Sequence, residues 1–433
     1  MEKKSQNEKF QKALSKCVKC GACQAVCPVY DIEKKENSVA RGKLALLQAY
    51  MKGEIELTSK LYETISKCIL CTSCKDTCAA SIEIDRIIST AREKAVKEFG
   101  MPPLKKALLE ILCGTFPGRK TFLKSASLVE KMFMKKIPSE SGLFYKGYFL
   151  GRKEGKIFPA LSKKTLTEII DLEKVSDSLS SVLFFQGCTI NFISPQTGIS
   201  ALNLIRKSNF TPILLNKQQC CGLPAFFSGD REKAEKLAYS NLEMLSEKKF
   251  DYLVVACATC GSAFKEIYPL IFEDDSNRLQ KWEEIKGKIL DLSEFLSGPG
   301  NRIFSKIKKT EKETTKTATY HDPCHLYKGQ KIEKEPREII KNIPRINLVE
   351  MENSSDCCGF GGMFSIENFE LSREINKKKI ENILSSKAEL VLTGCPGCIL
   401  QIKSGLIAKS SNIEVKHWCE LLDEATNGKS TID

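Results

Sequence analysis

The chain lacks what would mark a membrane protein, a nucleotide enzyme or a secreted scaffold. No run of about 18 apolar residues occurs in its 433 residues, so no spanning helix is expected. The opening MEKKSQNEKFQKAL is charged and has no apolar core, so no secretory signal is read there. Neither G-x-G-x-x-G nor G-x-x-x-x-G-K-[ST] is present, so the chain is not expected to bind flavin or nicotinamide itself. Histidine is scarce, with three residues. Hydrophobic residues at 42% and charged residues at 28% exclude a disordered tail, a collagen and a coiled-coil rod. The length suits two to four domains.

Cysteine is what the chain does have. Twenty in 433 residues is about half the density of a disulfide scaffold, which runs to roughly 8–10%. Most fall in tight clusters; Cys113 stands alone and Cys419 only loosely belongs. Clustered cysteine without an export signal points to thiolate–metal chemistry in a reducing, cytoplasmic compartment.

Subtraction reveals two duplications. Cys17, Cys20, Cys23 and Cys27 recur as Cys68, Cys71, Cys74 and Cys78, each 51 residues on. Cys188, Cys220, Cys221, Cys257 and Cys260 recur as Cys324, Cys357, Cys358, Cys395 and Cys398, at offsets of 136 to 138. A duplicated small module therefore precedes a duplicated larger one. We expect a helical unit over 1–100, a basic, aromatic-rich linker or docking region over 101–175, and two further units over 176–300 and 301–433.

In the small module, SVARGKLALLQAYMKG offers Leu44, Leu46, Leu47 and Tyr50 to one helix face, and IEIDRIISTAREKAVKEFG reads as a helix ending at Gly100. Residues 101–164 carry 14 Lys and Arg against 4 Glu, which is +10 of the chain's +13, with eight aromatics that include Phe116, Phe122, Phe133, Phe144, Tyr145 and Phe149. A solvated helical linker with its aromatics packed inward is one reading. A docking surface for an acidic partner, or peripheral contact with an anionic membrane face, is the other. No recognition motif for nucleic acid accompanies the charge. In the large module SVLFF, TPILL and YLVVA read as buried strands, repeated as TATYH, INLVEM and ELVLT, with helical patterns between. That order implies an α/β fold of parallel β-α-β-α-β units. The cysteines follow the strands, so five thiols per copy should meet at one sheet edge.

Three cysteines at i, i+3 and i+6 can wrap three corners of a cubane, and the fourth commonly serves the other cluster of a two-cluster ferredoxin. This assigns Cys17, Cys20, Cys23 and Cys78 to one [4Fe–4S] centre, and Cys68, Cys71, Cys74 and Cys27 to a second. Pro28 matches the usual terminal proline and Ala79 departs from it. Structural zinc is the rival, although it usually takes CxxC pairs from separate turns. In the larger module five thiols exceed zinc's four, which suggests a larger cluster or a cubane with a spare thiol. Lys16, Lys19, Lys67 and Lys75 flank the ferredoxin runs and either offset cluster charge or are merely solvated. His321, Asp322 and His325 bracket Cys324, as a proton shuttle, as hydrogen-bond partners of a cluster, or as a simple turn cap. GFGGM (359–363) reads as glycines that let backbone approach a cluster.

The stretches CCGLPAFFSGD, YHDPCHLYKGQ, DCCGFGGMF and TGCPGCILQI resemble the cysteine-rich CCG domains. Such domains occur in the iron–sulfur subunit of glycolate oxidase, the anaerobic glycerol-3-phosphate dehydrogenase C subunit and the heterodisulfide reductase cluster subunits. The likeness spans nearly the whole chain and is weakest over 101–175. Tyr320 to Gly405 most resembles the glycolate oxidase subunit, many of whose relatives carry Asn in place of Cys395. Cysteine here is as in the heterodisulfide reductases, whose five-cysteine sets hold noncubane [4Fe–4S] clusters. The resemblance thus implies one or two further clusters, cubane or noncubane, held by Cys188, Cys220, Cys221, Cys257 and Cys260 and by Cys324, Cys357, Cys358, Cys395 and Cys398. It implies an electron-transfer subunit served by an FAD-containing dehydrogenase subunit that oxidises a lactate- or glycolate-type substrate. The acceptor would be a quinone, an electron-transferring flavoprotein or a thiol system. The alternative it implies is direct disulfide reduction at a noncubane cluster.

Overall fold

The computed structural model describes residues 2–114, 135–137, 144–147, 156–159, 161–170, 180–215, 218–308 and 315–427. The first hundred residues are helical. Helices Glu2–Ser15, Ala40–Met51, Ser59–Ser66 and Ile84–Phe99 pack Phe10, Leu14, Leu44, Leu47, Leu61, Ile65, Ile87 and Ile88 into one core. Of the four residues expected on one helix face, Leu44 and Leu47 are buried, while Leu46 and Tyr50 lie at its margin. Gly100 closes its helix in the left-handed region, where a glycine carries no Cβ penalty.

Most of the basic stretch lies outside the described residues, including Phe116, Phe122, Phe133 and Phe149, and with it the docking surface expected there. What is described is not a helical linker throughout. After helix Pro103–Cys113, strands β1 (Lys135–Ile137), β2 (Phe144–Gly147) and β3 (Lys156–Pro159) form an antiparallel sheet. Segments such as FYKG and KIFP set aromatic and β-branched residues beside lysine, and these favour extended backbone.

Two parallel four-stranded sheets follow. One contains β4 (Ser181–Phe185), β5 (Thr211–Leu214), β6 (Tyr252–Val255) and β7 (Ile289–Asp291), ordered β5-β4-β6-β7. The other contains β8 (Lys316–His321), β9 (Ile346–Leu348), β10 (Leu390–Thr393) and β11 (Glu414–His417), ordered β9-β8-β10-β11. The two orders are equivalent strand by strand. Val182 to Phe185, Leu253 to Val255 and Val391 to Leu392 are fully buried, as expected where helices cover both faces of a parallel sheet.

The copies meet reciprocally. Helix Pro195–Lys207 of the first packs on the C-terminal helix Trp418–Asn427, and helix Leu292–Ser297 packs on helix Lys334–Lys341. The first pairing is pinned by Thr197 to Glu420 (2.5 Å), Asn203 to Asp423 (3.0 Å) and Lys207 to Asp423 (2.8 Å). This is the pattern of a two-fold interface, in which one patch meets its own equivalent. A single hydrophobic core runs through both sheets.

Arg92 ties the helical half to the first sheet. Its buried guanidinium donates to the carbonyls of Ile65 (3.1 Å), Ser66 (3.1 Å), Cys68 (2.5 Å) and Phe227 (2.7 Å). Removing the donor orphans buried acceptors at roughly 1–3 kcal/mol each. Arg92→Leu should therefore lower unfolding stability by about 3 kcal/mol or more. Urea titration of the apo chain checks this, and an unchanged midpoint would show that the guanidinium holds nothing together.

Candidate functional site

The two short cysteine runs fold as copies down to their dihedrals. Lys19 (φ 56°) matches Leu70 (φ 57°), and Gly21 (φ 90°) matches Thr72 (φ 60°), both pairs 51 residues apart. Non-glycine residues held in the left-handed region cost on the order of 1–3 kcal/mol each and persist where the surroundings enforce them. Cys17 N–H bonds Leu14 O (3.4 Å) as Cys68 N–H bonds Ile65 O (3.2 Å). These loops turn their sulfurs toward two neighbouring cavities. One, of about 40 Å³, is lined by Cys17, Cys20, Cys23 and Cys78; the other, of about 30 Å³, by Cys27, Cys68 and Cys71; Cys74 lines both. Each exceeds the roughly 10–15 Å³ that one water requires, so the thiols surround space. The fourth cysteine of each run reaches across to the other run's cavity.

The environments differ. The first cavity opens beside Cys20, which is exposed, and Val18, which is 70% exposed. The second is interior. Burial pushes the Cys27 and Cys74 thiols up, and Cys71, which also faces Cys357, is pushed up to about 12. These sulfurs resist ionisation until a cation joins them, as expected of soft ligands that release protons on binding metal. Lys43, 1% exposed, sits beside Cys27 and Cys68 and donates to Ser38 O.

Cys71 links the halves. With Val29 and Ile69 it shares an apolar cluster with Cys357, Phe364 and Ile375, edged by Cys27 and Cys324. Around it, Ser73 Oγ lies 3.3 Å from Cys71 Sγ and accepts from Lys328 Nζ (2.6 Å), and His325 Nε2 bonds Leu70 O (3.2 Å). GFGGM belongs to this junction. Gly359 (φ 87°) directs its N–H at Cys357 Sγ (3.4 Å). A Cβ on Gly361 would stand 2.5 Å from Ile69, so that glycine admits the ferredoxin loop.

In both sheets the five cysteines gather beyond the carboxyl ends of the strands, where ligands of open α/β sheets bind. In the second copy Cys324 contacts Cys357, Cys358 Sγ lies 3.5 Å from Cys398 Sγ, and Cys395 contacts Cys398. In the first, Cys221 touches Cys220 and Cys260, which favour its thiolate and hold it down to about 6, and Cys188 lies close by. The two sites adjoin where Cys257 meets its equivalent, Cys395. Asn241 and Asn376, 135 residues apart, each donate to the carbonyl of the first-site Cys220 (2.9 Å) or the second-site Cys358 (3.0 Å). None of the twenty cysteines is joined to another in a disulfide.

The residues present fit an iron–sulfur group. At the edge of the second sheet the donors Tyr320 Oη, Thr393 Oγ1 and Trp418 Nε1 are buried without a hydrogen-bond partner. Buried polar atoms are normally satisfied, and inorganic sulfide and thiolate supply such acceptors.

Other expectations are redirected. Lys67 pairs with Glu33 (3.0 Å) and Lys75 with Asp85 (3.2 Å), while Lys16 and Lys19 are exposed. The buried cations beside cysteines are instead Lys43, Arg92 and Lys379, the last donating to Asn353 O (2.6 Å) and Ser354 O (3.1 Å) near Cys357 and Cys358. Asp322 is clamped by Arg337 through two 2.7 Å bonds, a positioning role beyond a turn cap. Cys419 is a packed thiol pointing at Thr197 O (3.7 Å). Cys113, which stands alone in the sequence, is buried and sits 3.7 Å from Cys220 Sγ. None of these contacts is written in a local pattern: Asn241 and Asn376 are 135 residues apart, while Cys220 and Cys358, whose carbonyls they hold, are 138 apart and occupy different places in their adjacent pairs.

A 4Fe-4S dicluster domain model matches residues 13–82, and a cysteine-rich domain (CCG) model matches 182–265 and 318–403. The chain is 26% identical over 431 residues to a probable glycolate oxidase iron-sulfur subunit of Bacillus subtilis, covering 96% of this chain and 95% of that one. It is 25% identical over 434 residues to a subunit of the dihydromethanophenazine:CoB–CoM heterodisulfide reductase of Methanosarcina barkeri, covering 95% and 94%. Among solved structures, a hypothetical protein from Helicobacter pylori shares the fold at a TM-score of 0.51 and 11% identity, over 95% of this chain and 73% of that one. The chain belongs to the CCG-domain iron–sulfur proteins, with a 4Fe-4S dicluster domain followed by two cysteine-rich domains.

Proposed function

We propose that the chain is the electron-transfer subunit of an oxidoreductase complex. A separate FAD-containing dehydrogenase subunit would oxidise a 2-hydroxy acid of the lactate or glycolate type, and a quinone, an electron-transferring flavoprotein or a thiol system would accept the electrons. One observation carries this reading: four thiol groups follow one another without a gap. The first two share Cys74, the second meets the third at Cys71 with Cys324 and Cys357, and the third meets the fourth at Cys395 and Cys257. The name of the Bacillus subtilis relative supports the substrate class.

On this reading Cys17, Cys20, Cys23 and Cys78 hold one cluster, and Cys68, Cys71, Cys74 and Cys27 a second. The two five-cysteine sets hold one or two more. Bound there, [4Fe–4S] clusters supply one-electron chemistry. The protein's own part is to hold the sulfurs in order, exclude water from all but the outermost group, and set charge beside them. Cys20 and Val18 present the first group to a partner, and Lys19 and Arg41 stand beside it. The burial of Cys357, Cys358, Cys395 and Cys398 keeps an external disulfide from them, which favours relay over direct disulfide reduction.

Full-length chain purified anaerobically should be brown, with about eight iron from the ferredoxin half alone and more from the cysteine-rich sites. Iron and acid-labile sulfide analysis checks this; colourless protein or stoichiometric zinc removes the proposal. Cys71→Ala should lose about four iron and slow reduction of the later sites by an electron donor, while the first ferredoxin centre still reduces at the parent rate. Stopped-flow absorbance distinguishes the two, and equal rates at every site would exclude a linear order.

A further inference from the structure

His321 is the last residue of β8, three positions before Cys324, and is 1% exposed. Its Nδ1 lies 3.2 Å from Ser354 O. A carbonyl oxygen only accepts, so Nδ1 carries the ring proton and Nε2 keeps a free lone pair. Nε2 is buried and has no hydrogen-bond partner. One ring nitrogen of His321 and the sulfurs of Cys358 and Cys398 all lie within 4.8 Å of one another. The orientation is fixed from behind. Ser354 O also accepts from Asp322 N–H (3.1 Å) and Lys379 Nζ (3.1 Å), and Arg337 clamps the Asp322 carboxylate. A metal-binding imidazole characteristically gives its other N–H to a backbone carbonyl in this way.

The other two histidines are differently engaged. His325 Nε2 is bonded to Leu70 O and His417 Nε2 to Ala256 O, each at 3.2 Å. The first copy has no equivalent, because the last residue of β4, three positions before Cys188, is Phe185.

We propose that His321 is a nitrogen ligand to the iron–sulfur centre of the second cysteine-rich domain, joining Cys358 and Cys398 through Nε2, and that the first domain's centre is held by thiolates alone. This rests on the reading that the second domain holds iron. With Nδ1–H given to Ser354 O and Nε2 unpaired, the ring is the neutral donor that metals take. A neutral nitrogen beside thiolates leaves the centre less negative and easier to reduce, as histidine ligation raises potentials in other iron–sulfur centres. The two duplicated sites would then differ in potential because of one side chain.

The test uses the full-length chain, anaerobically loaded with iron and sulfide and then reduced. Pulsed EPR should show a strong ¹⁴N coupling at one centre. Growth on ¹⁵N-histidine should convert it to a ¹⁵N coupling without altering the protein, and His321→Phe, which copies the first domain, should abolish it. The midpoint potential of that centre should also fall in His321→Phe, with the ferredoxin centres unmoved and the urea midpoint reporting that the variant folds. Absence of histidine nitrogen coupling in chain whose second domain is loaded overturns the inference alone. Iron content that is unchanged by Cys357→Ala and Cys358→Ala shows the second domain empty and overturns the reading beneath it.

Discussion

A sulfur moved out of water holds its proton, and the architecture answers to that fact. Burial pushes the Cys27, Cys71 and Cys74 thiols up, and crowding them together adds repulsion between any thiolates that form. Such groups are tenable as a charged set only with cations among them. Iron would supply most of that charge. The protein adds Lys43 beside the second ferredoxin group and Lys379 beside the second cysteine-rich group, each 1% exposed. Backbone contributes through N–H groups turned on sulfur, at Tyr30 on Cys27 (3.5 Å) and at Gly359 on Cys357 (3.4 Å). The left-handed residues Lys19, Leu70 and Thr72 are the conformational cost of bending loops tightly enough to aim three sulfurs at one point.

Duplication explains how the groups come to adjoin. When two equivalent units meet about a pseudo-two-fold axis, residues near the axis face their own counterparts. Cys257 and Cys395 are such a pair. Around them, Ala258 N–H bonds Gly394 O (3.3 Å) and His417 bonds Ala256 O (3.2 Å), so the backbone carrying one site buttresses the other. Placing cysteine there joins two sites with one repeated residue.

Much of this was legible because duplication writes itself as arithmetic. The offsets of 51 and of 136 to 138 exposed the repeats, and the apolar runs at 181–185, 252–256 and 389–393 are strands within a residue of their observed ends. Strand β7, ILD, was invisible because three residues between two helices carry too little pattern. The antiparallel sheet at 135–159 was obscured by lysine, which reads as solvated helix when charge is weighed before the aromatic and β-branched residues between. The functional cations escaped for another reason. Lys67 and Lys75 are neighbours of cysteine in sequence but are engaged by carboxylates. Lys43 and Lys379 reach the thiols only through tertiary packing, and no local pattern encodes that.

The two cysteine-rich copies are alike in topology and unlike in surroundings, and the difference falls on the first cysteine of each adjacent pair. Cys357 faces Cys71 of the ferredoxin half, while its counterpart Cys220 faces Cys113, from the helix that precedes the first sheet. One copy therefore opens toward the rest of the relay and the other is closed by a thiol outside both motifs. A duplicated unit starts with identical sites, and a one-way relay between them needs a difference in affinity for the electron. Phe185 and His321 stand three positions before Cys188 and Cys324, and the buried Lys379 stands beside the second site's paired cysteines. With a cluster bound at each site, the buried Lys379 and the proposed ligation by His321 would make the second site the more electron-attracting of the two. On electrostatic grounds the pair would then be polarised, with its electron-rich resting point at the site nearest the ferredoxin half.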